Sequence, residues 1–524
     1  MKNLHRSLVI GCSALALAGC GADEIVSPGT GGNVTINNPA PAPAPTPTPT
    51  PTQAQVTPAA GCPTIANPTG LNDLGTISGP TGEYRRCRLP GSFTASSTLP
   101  AVNGLLYELN GQTDVGTDQG FASTNTDVTL TIEPGVIIYA SGNDFLNVNR
   151  GNQLNAIGTE AEPIIFTSRD NVLGSNNADS SGQWGGVILS GRAPVTDCFL
   201  GAEATNNCER RVEGATNQIL YGGAQTGDSS GTLSYVQIRY SGFALANGDE
   251  LQSLTTGGIG SGTTLNHIQT YNSSDDGAEF FGGVVEGSRF IMVGAEDDSL
   301  DTDTGVKAFF DQLLVVQRNT ASDTVIEQDS DGNENVGPRT NTRINNATFV
   351  IDSATGDRGI RIRGSSDFTL LNSLLVEEDG TACLNVQGTS LNGAAGSNAD
   401  EAGPVVFNSV ALDCATNFRD GGGNTAAQVE TRFDAGTGNT KDFSNTLQRL
   451  TGVTTGAAFI NGANENGYTP IFDATTVSSF FSTRTYIGAV TSQADNWAEG
   501  WTCNSPTVTL GLDNTGDCST LPTA

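Results

Sequence analysis

Along most of the chain the apolar residues fall in runs too short for helices. Val128-Thr129-Leu130-Thr131-Ile132 alternates at a period of two, Glu133-Pro134-Gly135 interrupts it, and Val136-Ile137-Ile138 resumes. Leu146-Asn147-Val148, Leu154-Asn155-Ala156-Ile157 and Pro163-Ile164-Ile165-Phe166-Thr167 continue the series, separated by Gly, Asn and Asp. Alternation at period two turns one face of a strand inward. No helix-length apolar periodicity lies between these runs. Short strands at close spacing predict a sandwich, a propeller or a β-solenoid.

A recurring four-residue motif chooses among these. Leu265-Asn266-His267-Ile268, Phe310-Asp311-Gln312-Leu313, Ile344-Asn345-Asn346-Ala347, Leu371-Asn372-Ser373-Leu374 and Phe407-Asn408-Ser409-Val410 each read apolar, Asn or Asp, polar, apolar. Counting Phe290 in the same register, the last positions advance by 22, 23, 34, 27 and 36 residues. A coil of three short strands and three turns needs about 20–25 residues, and surplus length becomes loops. Asn266, Asp311, Asn345, Asn372 and Asn408 are then expected to stack as a ladder, bonding backbone groups that a sharp turn leaves unpaired. The reading is an all-β chain, a right-handed parallel β-helix of roughly ten coils. A propeller would need a steadier period near 40–45 residues.

The start of the chain is different. Lys2 and Arg6 flank a short basic region, Leu8 to Ala18 is apolar but too short to span a bilayer, and Leu17-Ala18-Gly19-Cys20 follows. These four residues match the lipobox of bacterial lipoproteins. The match implies cleavage before Cys20, lipidation of its thiol, and a lipid bilayer as partner. Gly21 in place of Asp, by resemblance to Gram-negative lipoproteins, implies sorting to the outer membrane. Proline alternation from Pro39 to Pro51 supplies few amide donors and predicts a disordered, extended spacer. The expected organisation is a signal peptide over 1–19, a lipidated Pro/Thr-rich tether over 20–61 and a disulfide-containing N-terminal cap region over 62–125. The parallel β-helix should then run over 126–420, with C-terminal rungs and a cap over 421–524. Trp497 and Trp501 are expected to plug the open C-terminal end, where uncapped strand edges would aggregate.

Charge and cysteines narrow the picture. The formal charge is −31, and loss of Lys2 and Arg6 with the leader takes it to −33. Such a surface repels nucleic acid and favours cations. Of ten cysteines, Cys12 leaves with the leader and Cys20 carries lipid, so eight remain. An even number in an exported chain reads as disulfides. Loop length suggests Cys62/Cys87, Cys198/Cys208, Cys383/Cys414 and Cys503/Cys518, among 105 formal pairings. Zinc fits poorly, since there is no CxxC and His267 is the one histidine of the mature chain.

Leu130 through Trp184-Gly185-Gly186, Gly260-Ser261-Gly262-Thr263-Thr264, Ser274-Asp275-Asp276-Gly277, Tyr486-Ile487-Gly488-Ala489-Val490 and Asp495-Asn496-Trp497 with Gly500-Trp501 resemble a group of bacterial β-helix surface lipoproteins. The resemblance covers most of residues 125–502. It implies a fold and a surface location and brings no catalytic residues.

Acid crowding is the main candidate chemistry. Asp275, Asp276 and Glu279 are followed 22 residues later by Asp297, Asp298, Asp301 and Asp303, then by Asp323, Glu327 and a loop carrying Asp329, Asp331 and Asn333. Stacking is expected to place Asp276, Asp298 and Asp323 in one column, with Glu279 and Asp301 beside it. Like charges at coil spacing, roughly 5 Å, repel unless a cation compensates. Calcium suits such oxygen clusters. Solvated turn aspartates are the alternative. Asp275, Asp276 and the pair Arg361 and Arg363 also resemble elements of pectin-degrading β-helix enzymes, but no Gly-His-Gly motif accompanies them. The leading expectation is a non-catalytic surface β-helix that binds glycan or an outer-membrane partner. A cation-dependent polysaccharide lyase or hydrolase is the first alternative, with Asp275, Asp276, Arg361 and Arg363 as its catalytic candidates. The second is an accessory lipoprotein of a transporter or secretion system.

Overall fold

The structure is a computed structural model that describes residues 55–523 apart from 214, 216, 217, 247, 248, 331–334, 354, 355, 357 and 379. The expected signal peptide, Cys20 and nearly all of the expected tether lie outside the described residues. From Gly82 onward the chain winds as a parallel β-helix. Each coil gives one strand to an eleven-stranded sheet, running from Ser92–Phe93 and Gln112–Val115 to Ala382–Val386 and Thr416–Phe418. Seventeen more strands build a second long sheet, parallel throughout except for the hairpin of Asn72–Gly79 with Gly82–Arg88, and two short antiparallel hairpins stand apart from both. Coiling therefore begins inside the region expected to be a cap.

The strand alternation sets the core. Leu130 pairs with Leu154, Leu233 with Leu265, and Ile268, Phe290, Leu313 and Ala347 stack in register. All are within 2 % of fully buried. Each such leucine contributes about 1.5–3 kcal/mol of burial.

The four-residue motif marks a corner. Gly231–Arg239, Thr264–Tyr271, Val284–Val293, Lys307–Val316 and Asn341–Ile351 each bend at one residue with left-handed backbone: Tyr235, His267, Arg289, Gln312 and Asn346. Asn372 and Ser409 occupy the same corner in the last coils. Part of the expected ladder forms, since Asn345 Nδ2 donates to Asp311 at 2.9 Å and Asn372 Nδ2 to Asn345 at 2.8 Å. The fourth motif is displaced by one residue from its expected register. Leu370, not Leu371, pairs with Ile344 and Phe407, which sets Asn372 beside Asn346.

The four disulfides pair as expected, Cys62–Cys87, Cys198–Cys208, Cys383–Cys414 and Cys503–Cys518. The C-terminal end differs from expectation. The helix Ala426–Asp434, opened by a Thr425/Gln428 capping box, drives Val429 and Phe433 into the end of the core beside Phe407 and Phe418. Residues 440–523 add no named strand to either long sheet and return along the outside of the coils as a strap. Trp501 does not plug the end. It packs with Phe459, Val490 and Leu510 against Tyr240, Tyr271, Ile291, Val293 and Val316. Buried glutamines on the coils hold the strap by its backbone: Gln237 donates to Trp501 O, Gln269 exchanges two bonds with Cys503, and Gln312 donates to Ala489 O. Leu521 ends the strap against Tyr84, Ile137 and Ile165 of the early coils. Among the described residues no helix is long and apolar enough to cross a membrane.

Candidate functional site

The outer face of the eleven-stranded sheet carries the acid cluster. Parallel register stacks Thr255, Glu279, Asp301, Glu327, Arg361 and Asn385 in one column, because alternate residues of each short strand point outward. Ile360 and Ile362, on either side of Arg361, are in the core. The turns preceding these strands add two more columns. Asp298 N donates to Asp276 Oδ1 at 2.9 Å, and Thr324 donates through N and Oγ1 to Asp298 Oδ1. Asp323 N bonds Asp297 O, so Asp323 continues the column of Asp275 and Asp297. The expected column of Asp276, Asp298 and Asp323 is thus shifted by one residue at its third member, where Thr324 stands.

Asp275, Asp276, Glu279, Asp297, Asp298 and Asp301 line a cleft of about 690 Å³ together with Glu213, Glu250, Gln252, Ser274, Glu296, Asp323, Glu327, Arg361 and Arg363. Three overlapping carboxylate triads form within it: Asp275, Asp276 and Asp297; Asp276, Glu279 and Asp301; Asp297, Asp298 and Asp323. In each, one oxygen per residue lies within 4.8 Å of the others. Calcium binds oxygen at about 2.3–2.6 Å, so oxygens up to roughly twice that apart can share one ion. An all-oxygen, carboxylate-rich set of this span fits calcium, and the soft donors that zinc favours are absent from the cleft lining.

Burial makes the crowding severe. Asp276 and Asp298 are each 5 % exposed and Glu279 8 %. Burial, with Asp297 and Glu250 adding repulsion, pushes the Asp275 carboxyl up to about 7. Burial and the neighbouring carboxylates raise Asp276, Glu279, Asp298 and Asp301 well above the usual carboxylate range, and raise Asp297 as well. Positive charge stays at the rim: Arg318 pairs with Glu296 at 2.8 Å, Arg210 bridges Glu213 at 3.6 Å, and two more arginines stand at the far end. Arg361 Nη1 lies 2.7 Å from Glu327 Oε2, and Arg363 Nε lies 2.5 Å from Glu327 and 2.8 Å from Asp329. Among the described residues no ion pair is made to Asp275, Asp276, Glu279, Asp297, Asp298 or Asp301. Those six carboxylates share one space with no ion-pair partner of their own, and Arg361 offsets only part of the repulsion on Asp297.

Of the other residues singled out from the sequence, Asp329 stands with Arg363, and Asp303 caps its own turn by accepting from Thr304 N. Neither lines the cleft. Asp331 and Asn333 lie outside the described residues. His267 is far from acid–base duty: it stacks on Tyr235 at 4.2 Å, and burial beside Arg289 lowers it to about 3. Sequence reasoning missed Glu213, Glu250 and Glu296. Glu296 adjoins Asp297 and extends a visible acidic run, whereas Glu213 and Glu250 arrive from insertions that no repeat spacing could align.

Glu213 belongs to a flap over residues 195–222. Its hairpin, Arg210–Arg211 with Leu220–Tyr221, is stapled by Cys198–Cys208. Val195, Cys208, Val212, Ile219 and Tyr221 pack on Phe145, Ile188 and Phe281, outward residues of the same sheet, and on Leu251 just before it. Arg150, 1 % exposed, pins it from the early coils through Glu209 at 2.6 Å. The flap covers the neighbouring coils and so walls one end of the cleft, opposite Arg361 and Arg363.

A family model described as a pectate-lyase-like β-helix domain matches residues 107–502. No curated protein and no solved structure matches the chain.

Proposed function

The chain belongs to the family of pectate-lyase-like β-helix domains, and from that premise we propose that it is a surface-tethered glycan-binding protein whose acidic cleft works with calcium. One observation carries the reading: seven carboxylates form overlapping triads in one cleft, and six of them, all but Asp323, make no ion pair with the arginines at its edge. Asp276 and Asp297, each common to two triads, would hold the cations, with Asp275, Glu279, Asp298, Asp301 and Asp323 completing the oxygen sets. A bound cation supplies positive charge at the cleft floor, where carboxylates or hydroxyls of a polysaccharide can bind. Arg361 and Arg363 fix Glu327 and Asp329 and present guanidinium edges at the end of the run. Tethering through a lipidated Cys20 at the outer membrane belongs to the same proposal and agrees with the four disulfides, which suit an oxidising compartment.

The test is retention of full-length protein on acidic and neutral polysaccharides, with and without calcium. Binding that needs calcium and is abolished by Asp298→Asn with Asp301→Asn supports the reading. Calcium-independent binding, or none, refutes it.

A cation-dependent polysaccharide lyase is the second reading, favoured because Arg361 and the carboxylates share one cleft in a family likened to pectate lyase. Release of unsaturated sugar that Arg361→Ala abolishes without lowering Tm would establish it. Against it stands the engagement of both arginines with Glu327 and Asp329, since a general base needs a group free to accept a proton.

A further inference from the structure

The cleft grips charge but offers no flat apolar face to a sugar ring, because none of its lining residues is aromatic. The flap beside it has such a face. Phe199 is 47 % exposed, the one aromatic ring among the strongly exposed large hydrophobics of the described residues, and Leu200 next to it is 42 % exposed. An exposed ring on a floppy loop would mean little, but this one is held. Cys198 is disulfide-bonded to Cys208, Phe199 N and Leu200 N both donate to Glu209 O, and Glu209 N returns a bond to Leu200 O. Glu209 in turn is clamped by the buried Arg150.

Charge accompanies the ring. The Arg211 guanidinium lies 4.9 Å from the Phe199 centroid. Arg211 makes no ion pair among the described residues, in a chain of formal charge −31. Two residues on, Glu213 lines the cleft, and Arg210 bridges Asp197 at 3.2 Å and Glu213 at 3.6 Å. Ring and guanidinium therefore stand together on the flap that lends Glu213 to the cleft. The acid columns run along the coil axis from Glu279 to Arg361, three coil steps of about 4.8 Å, or roughly 14 Å. A short oligosaccharide lying along that axis would leave the cleft at the flap.

We propose that Phe199 and Arg211 form an outlying sugar subsite of the cleft, stacking one pyranose ring of an acidic glycan while the guanidinium meets its carboxylate. The subsite rests on the glycan reading of the cleft and extends it past the cation cluster. Stacking on an aromatic face is directional and needs a rigid ring, which the staple supplies.

The experiment is calorimetric titration of the full-length protein in calcium with a trimer and a hexamer of galacturonic acid. Phe199→Ala should weaken hexamer binding roughly three- to tenfold. It should leave trimer binding and the calcium-induced rise in Tm unchanged, and Phe199→Trp should keep hexamer affinity. Equal hexamer binding by wild type and Phe199→Ala overturns the subsite, and if Asp298→Asn with Asp301→Asn still abolishes binding the cleft reading survives. Equal losses for trimer and hexamer also overturn it. Loss of hexamer binding in Phe199→Ala but not in the aspartate variant keeps the flap site and removes the cation cleft. Binding of neither oligomer by wild type overturns both.

Discussion

Stripping cations from the cleft and raising the pH should destabilise the fold, because the acid cluster holds protons only while folded. Asp275 moves from an ordinary 3.8 to about 7 on folding, and Asp276, Glu279, Asp298 and Asp301 are raised with it. Between about pH 4 and pH 7 the native state therefore binds more protons than the unfolded one, and stability must fall as pH rises. The slope is about 1.4 kcal/mol per pH unit for each proton retained. Below the unfolded pKa both states are protonated and the penalty vanishes. The folded body, residues 54–524, unfolds with an entropy of about 1 kcal/mol/K at roughly 2.1 cal/mol/K per residue. Each retained proton thus lowers Tm by about 1.4 °C per unit. Calcium at a hundredfold excess over its Kd opposes this by about 2.7 kcal/mol, or nearly 3 °C. The assay is a set of melting curves across that pH range, in chelator and in millimolar calcium. Tm should drop with pH in chelator and recover with calcium, and Asp298→Asn with Asp301→Asn should flatten both responses. A Tm indifferent to pH and to calcium would mean that the carboxylates are solvated independently and the reasoning is wrong.

Replacing Cys62 and Cys87 by Ser opens a loop of 25 residues and should cost about 3.5 kcal/mol, read by denaturant titration; free-thiol titration of unfolded, unreduced wild type should find none of the eight cysteines reactive. Trp501→Ala empties a fully buried site beneath the strap and should cost about 3–5 kcal/mol, with earlier protease cutting in residues 440–523. Cys20→Ala should leave the chain without lipid, checked by intact mass; an acylated variant would refute lipidation at that residue.

The coil was legible because its corner motif repeats and its strands alternate strictly. Registers slipped by one residue where two neighbours satisfy burial equally. Leu370 is buried inside the coil, and Leu371 is buried outside it beneath Ala474 and Phe481. Nothing in a Leu-Leu pair says which one faces in. The same ambiguity put Asp323, in place of Thr324, beneath Asp298. The capping helix was readable after all: Thr425 and Gln428 form the capping box, and Val429 and Phe433 sit four apart on one face. The strap was not readable, because residues 440–523 follow no period of their own. Their apolar side chains answer to a flank built by other parts of the chain.

That strap changes how the molecule must come into being. A plain solenoid stacks nearest neighbours and can fold progressively from its first coil. Here Asn171 bonds Cys518 O, 347 residues away, and the buried Arg239 guanidinium is held by the carbonyls of Cys518 and Thr520. The early coils therefore keep their polar anchors and apolar flank open to water until residues 518–521 are in place. Losing residues 518–521 would injure the early coils as much as the strap itself, and the contacts join a string of local units into a single all-or-none transition.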